Sequence, residues 1–273
     1  MKRLADYHVH SEFSADSSEP MENAADAALR CGLTEIAFTD HYDEAYPCEP
    51  FPKPDYSRYF AALESVQGAF PELTVRSGVE LGMMRSELDA IRETLSPWDF
   101  DFVLFSKHVI NGRDPWYPDY FADRTLREAE REYLSEMIQD IRAFDDFDVV
   151  GHIGYVDKYL DRMSDLPAYS RPFEYQDFPD ELDELMREII SRGKGIEVNT
   201  SCFGSWNDGM PRMSVFRRYI ELGGEIVTLG SDAHEAGDVG RYFKEALPFL
   251  EAAGCRWICT FAERQPQFHR LGS

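Results

Sequence analysis

The sequence has no long apolar run: nothing in its 273 residues approaches the roughly 20 consecutive apolar residues that a membrane-spanning helix requires. Its opening, MKRLADYHVHS, turns polar within a few residues and offers no apolar signal-peptide region. Cysteine is sparse. Cys31, Cys48, Cys202, Cys255 and Cys259 are scattered, odd in number and never spaced CxxC, which argues against a zinc knuckle or dithiol motif and fits reduced thiols in a cytoplasmic protein. Positive charge is scarce as well, with 28 Lys and Arg against 51 Asp and Glu and a formal net charge of −23. Such a surface repels nucleic acid and anionic membranes, so neither is an expected partner. An anionic substrate would need cations gathered locally, and bound divalent metals supply such charge. Linkers, repeats and low-complexity tracts are missing too, so residues 1–273 read as a single domain. The oligomeric state leaves no mark.

What is present is an alternation of short apolar runs with amphipathic helical patterns. The strand-like runs are 4–9, 35–39, 73–81, 100–105, 147–153, 195–199 and 225–229. Helical periodicity occupies 21–31, 56–70, 87–95, 125–144, 180–191 and 212–222. A last helix near 238–253 leads to 256–261, a candidate eighth strand. The alternation specifies an α/β protein, either an open doubly wound sheet or a closed barrel. No GxGxxG or P-loop follows an early strand, as a nucleotide-binding open sheet would usually require. Nearly every run ends instead in His, Asp or Glu, and β/α barrels assemble their sites from the C-terminal ends of several strands. The barrel is the better reading.

In YHVHSEFSAD, His8 and His10 stand two apart on an extended run, so both leave one face about 6.6 Å apart along the strand and could share one metal. TLGSDAH repeats the device with Asp232 and His234. If the sheet closes, first and last strands become neighbours and the two pairs converge. Between them His41 in AFTDH, Glu80 in SGVEL, His108 in LFSKH and His152 in VVGHI each sit at or just past a strand end, and Asp16 follows in the first loop. A lone histidine ending an apolar run is ordinarily a hydrogen-bonded core residue. Six of the seven histidines at strand exits are not explained that way, and His269 alone takes the surface reading. Nine candidate ligands exceed what a tetrahedral or octahedral metal can use, so a cluster is implied.

In this order, YHVHSEFSAD, AFTDH, SGVEL, FSKH, VGHI, IEVNTS and GSDAH resemble the polymerase and histidinol phosphatase (PHP) family over nearly the whole chain. The resemblance implies a distorted seven-stranded (β/α)7 TIM-like barrel, the PHP fold, enclosing three divalent metal ions, commonly zinc, manganese or iron. Carried over residue by residue, His8, His10, Glu80 and Asp232 would hold the first metal. Glu80 would bridge to a second, held by His108 and His152, while Asp16, His41 and His234 would hold a third. Aspartate at position 16, where other members carry histidine, is similar to the histidinol phosphatase branch.

The implied chemistry is phosphomonoester hydrolysis by a metal-bridging hydroxide, since coordination lowers the pKa of water from about 15.7 to about 7. Asp232, His234 and metal-bound water are the candidate proton donors to the leaving group, with none preferred. The loop VINGRDPWYPDYF, with Asp114, Trp116, Tyr117 and Tyr120, is similar to the substrate-side loop of histidinol phosphatases. In those enzymes basic residues after the VGHI-like and EVNTS-like strands hold the phosphate. Lys158 matches the first, but SCFGSW carries no arginine directly after EVNTS, which leaves Arg212, Arg162 and Lys107 as candidate substitutes. Asp40 is a candidate to orient a histidine ligand.

The leading expectation is a histidinol-phosphate phosphatase of histidine biosynthesis acting on a small-molecule phosphate ester. A related phosphodiesterase or nucleotide/sugar phosphatase is the enzymatic alternative, and a metal-binding scaffold without turnover the non-enzymatic one. A binuclear amidohydrolase ranks below these, because no lysine replaces Glu80.

Overall fold

The computed structural model describes residues 4–160 and 171–272. Its strands are β1 (Ala5–Val9), β2 (Glu35–Phe38), β3 (His41–Asp43), β4 (Thr74–Gly82), β5 (Phe102–Ser106), β6 (Val149–Val150), β7 (Gly195–Asn199), β8 (Val227–Gly230), β9 (Trp257–Ala262) and β10 (Gln265–Arg270). Seven of them run parallel in the order β1-β2-β4-β5-β6-β7-β8, and β3 pairs with the far end of β4. β1, β2, β5, β6, β7 and β8 are buried along their whole length, as strands enclosed on both faces must be. The ring closes just beyond the strand ends: Asp232 N donates to His8 O at 2.9 Å and His10 N to Ala233 O at 2.8 Å. The first and last pairs of polar residues therefore meet.

The helices α1 (Met21–Arg30), α2 (Tyr56–Ala69), α3 (Leu88–Leu95), α4 (Leu126–Ala143), α5 (Pro179–Ser191), α6 (Phe203–Trp206), α7 (Met213–Glu221) and α8 (Phe243–Ala252) follow the apolar periodicity. α4 is representative. Thr125 and Glu128 form a capping box, and Ala129, Tyr133, Leu134, Met137, Ile138 and Ile141 bury one face at helical spacing. Its charged residues tie it to α5 through Arg131–Glu181 at 2.8 Å and Arg142–Glu184 at 2.7 Å. Exposed pairs of this kind add little stability.

The run 256–261, a candidate eighth strand, stays out of the barrel. It becomes β9, which pairs antiparallel with β10. Glu263 and Arg264 both take positive φ, 49° and 65°, which is the geometry of a two-residue hairpin turn. Phe261, Cys259, Ala5, Tyr7, Ala37, Phe102, Leu104 and Val149 make a cluster separate from the helix-packed core. The Tyr7 hydroxyl donates to Phe261 O at 3.0 Å and accepts from Phe261 N at 2.6 Å. The hairpin therefore plugs the N-terminal end of the barrel, leaving the other end for chemistry. No described helix is long and apolar enough to cross a membrane.

Because Phe261 is 2% exposed, Phe261→Ala is expected to cost about 3–5 kcal/mol in urea unfolding. An unchanged midpoint would show that the hairpin does not pack the barrel base.

Candidate metal centre

β1 carries His8, and His10 follows just past its end; both are fully buried. His8 Nδ1 donates to Glu197 Oε1 on β7 at 2.7 Å, and His10 Nδ1 lies 2.9 Å from Ser14 Oγ. Each ring is thereby turned to present Nε2 inward. These two atoms face Glu80 Oε2 at 3.2 and 3.4 Å and Asp232 Oδ1 at 3.7 and 3.6 Å. The other Glu80 oxygen, Oε1, lies 2.7 Å from His152 Nε2 and 3.2 Å from His108 Nε2, which are themselves 3.4 Å apart. Asp16 Oδ2 stands 2.9 Å from His234 Nε2 and 3.5 Å from His41 Nε2. The nine residues expected from sequence thus converge on one mouth.

The geometry fits divalent cations. Two ligand atoms bonded to one ion at about 2.0–2.2 Å stand about 3–3.5 Å apart, and the separations above scatter around that spacing. His8 Nε2, His10 Nε2, His41 Nδ1 and Glu80 Oε2 are buried with no hydrogen-bond partner. Buried polar atoms are rarely left so unless something other than protein completes them. Nitrogen and oxygen donors suit zinc, manganese or iron. Backbone strain marks the same place, with φ of +56° at Asp232 and +21° at His152.

The charges are mutually sustained. Burial opposes the Glu80 charge, yet His8, His41 and His108 hold its carboxyl well below the usual range. Burial likewise opposes protonation of His108, but Asp43 and Glu80 raise it to about 10. His10 falls to about 3 through burial and the neighbouring His234 and His41. Cations enter such a site by displacing imidazole protons, so the carboxylates hold a place for positive charge.

Two orienting carboxylates escaped the sequence reading. Asp43 accepts from His108 Nδ1 at 2.9 Å, and Glu197 fixes His8. Such partners set tautomer and ring direction at metal sites. Each needs an adjacent glycine. A Cβ on Gly82 would sit 1.7 Å from Asp43 Oδ1, and one on Gly230 would sit 2.0 Å from Glu197 Oε1. Asp43 shares a strand face with His41 two residues earlier, a signal present in HYD but masked by the brevity of β3. Asp40 does not orient a ligand: its carboxylate accepts from Ser11 N at 2.6 Å and from Ser11 Oγ at 2.9 Å, pinning the turn after His10.

A cavity of about 530 Å³ opens over the cluster, walled by Trp116, Tyr117, Tyr155 and Tyr159 and reached by Lys158 and Arg241. Lys158 Nζ donates to Asp232 Oδ2 at 2.5 Å. Asp114 accepts from Tyr46 and Tyr155 hydroxyls at 2.7 and 3.0 Å. Tyr120 turns away from the cavity into the core, bonding Ala129 O at 3.1 Å. Two proposed phosphate-side cations are elsewhere. Lys107 is buried between Asp140 and Glu136, 2.7 Å from each, and Arg212 pairs with Glu174 at 2.7 Å and Asp208 at 3.2 Å. Neither lines the cavity, because acids on the outer helices and loops claim them first. Arg162 lies outside the described residues. His269 falls on β10, 2.8 Å from Thr260 Oγ1 and far from the mouth.

The chain is 29% identical to the histidinol-phosphatase of Lactococcus lactis over 96% of this chain and 95% of that one. A probable histidinol-phosphatase of Clostridium acetobutylicum is 30% identical over 95% and 97%. The crystal structure of the Lactococcus lactis histidinol phosphate phosphatase, complexed with zinc, L-histidinol and phosphate, superposes with a TM-score of 0.86 at 27% identity, covering 97% of this chain and 99% of that one. The PHP domain matches residues 6–201, the span that supplies seven of the nine converging side chains, and the chain belongs to the PHP domain family.

Proposed function

We propose that this chain is a metal-dependent phosphomonoesterase that hydrolyses L-histidinol phosphate to L-histidinol and phosphate, using three divalent ions. The observation that carries the reading is Glu80, whose two oxygens face separate sets of histidines beneath a cavity with a lysine at its wall. Similarity to histidinol-phosphatases over nearly the full chain supports the substrate. In the arrangement that the family resemblance implies, His8, His10, Glu80 and Asp232 would hold one ion, Glu80, His108 and His152 a second, and Asp16, His41 and His234 a third, and the contacts within each set are compatible with this. Bound there, the ions would offset phosphate charge and make water acidic enough to attack near neutral pH.

The protein's own groups do the rest. Glu197 and Asp43 fix His8 and His108, so the ligand set is assembled before substrate arrives. Lys158 brings a permanent cation to the phosphoryl side, and Trp116 and Tyr117 wall the side that takes the organic group. Asp114 adds a carboxylate suited to a cationic alcohol. Burial works against ionisation of Asp232, but Lys158 and His8 hold its carboxyl well below the usual range. It therefore keeps no proton to donate, and His234 turns Nε2 to Asp16 and Nδ1 to Asp232 O, so the proton for the departing alkoxide would come from water made acidic by the ions. The five free cysteines suit the cytoplasmic setting of such an enzyme.

Protein stripped of metal and reloaded with zinc or manganese should release phosphate from histidinol phosphate and from p-nitrophenyl phosphate but not from a diester. Turnover of the diester alone would defeat the proposal, and a loaded cluster without turnover would favour a scaffold. His10→Ala or Glu80→Ala should abolish phosphate release while circular dichroism stays that of the parent; rates like the parent's would remove those residues from the chemistry. Asp43→Asn should lower metal affinity or kcat about 10–100-fold. Metal titration giving the parent's affinity and rate would deny Asp43 its orienting role.

A further inference from the structure

A phosphate dianion entering this mouth meets Asp16, Asp43, Glu49, Glu80, Asp114 and Asp232 along the walls. Among the described lining residues, permanent positive charge comes from Lys158 and Arg241. The position directly after EVNTS holds Cys202, so the first of these cations has no basic companion from that strand end. We propose that Arg241, which lines the same cavity and bonds the Asp232 carbonyl, is the second phosphate-holding residue. The assignment rests on the phosphomonoesterase reading above and adds a residue that sequence analysis did not single out.

The local fold explains why Arg241 is there and why it is rigid. It lies between Gly240 and Tyr242, whose φ values are +68° and +58°, so the chain doubles back sharply before α8. Gly240 N donates to Asp6 Oδ2 on β1 at 2.9 Å, and Thr200 Oγ1, just past β7, donates to Arg241 O at 2.7 Å. The loop is thus fastened to two barrel strands at the level of the metal ligands.

The side chain is held as tightly. Arg241 Nε donates to Ser231 O at 3.0 Å, Nη2 to Asp232 O at 3.2 Å and Nη1 to Asp238 Oδ2 at 2.9 Å. A guanidinium has five N–H donors, so these three bonds leave two, one on each terminal nitrogen, for phosphate oxygens. Lys158 grips the carboxylate of Asp232 while Arg241 grips its carbonyl, so the two cations flank one metal-facing residue. Both also bear on the buried Cys202 thiol, which burial nonetheless pushes up to about 11. Their fields overlap where the strand itself offers no charge.

The experiment uses the full chain loaded with zinc or manganese and inorganic phosphate as the probe. Phosphate should protect Arg241 of the parent protein from phenylglyoxal, read by peptide mass spectrometry. Arg241→Met should weaken phosphate binding in calorimetry about tenfold or more, with bound metal unchanged. The same variant should raise KM for histidinol phosphate and p-nitrophenyl phosphate by similar factors, because they share only the phosphoryl group, and Arg241→Lys should recover part of the loss. Equal labelling with and without phosphate, or unchanged phosphate affinity, overturns the assignment. The labelling result decides it even if Arg241→Met fails to fold. If histidinol phosphate is not hydrolysed but phosphate still protects Arg241, the substrate above is wrong and the role of Arg241 stands.

Discussion

The carboxylate of Glu80 is the group around which the rest of the protein is arranged. It is buried on a nine-residue strand long enough to pair with β2 along one half and β3 along the other. That pairing sets His41 beside Glu80 and lets β5 and β6 bring His108 and His152 to its other oxygen. An unpaired buried carboxylate would be strongly disfavoured. Imidazoles on both sides make its charge tolerable and create two adjacent places for cations.

Barrel closure is the companion constraint. Without the bonds between the ends of β1 and β8, His8 and His10 would face solvent rather than Asp232 and His234. The hairpin that fills the N-terminal end lets the barrel carry polar residues at its other end and remain packed below them. Stability and chemistry are thus segregated along the barrel axis, as is general for β/α barrels.

The surroundings of the cluster answer one electrostatic problem at two ranges. The acidic surface repels anions at a distance, while ions in the cluster, together with Lys158 and Arg241, would make the mouth locally attractive. Asp232 joins the two scales. It turns one carboxylate oxygen toward His8 and His10, gives the other to Lys158 and presents its carbonyl to Arg241, in a left-handed backbone conformation that makes this triple duty possible.

The α/β alternation and the nine polar side chains that converge at the mouth were legible in the residue pattern alone. Polar residues at the ends of apolar runs obey a local rule: the two-residue period of a strand decides which side chains share a face. The pattern also placed most elements within a few residues, as at 195–199, where β7 follows the expected run. Tertiary structure alone decided the rest. Glu197 orients His8 across 189 positions of sequence, a pairing that no local period encodes. Lys107 and Arg212 read as available cations until helices and loops brought acids against them, and Arg241 went unnoticed because only a loop folded back on β1 and β7 brings it to the mouth. The hairpin of β9 and β10 was hidden for a related reason, since Glu263 and Arg264 are not residues that advertise a tight turn. Ligand chemistry is written residue by residue, whereas which charge meets which is settled by long-range packing.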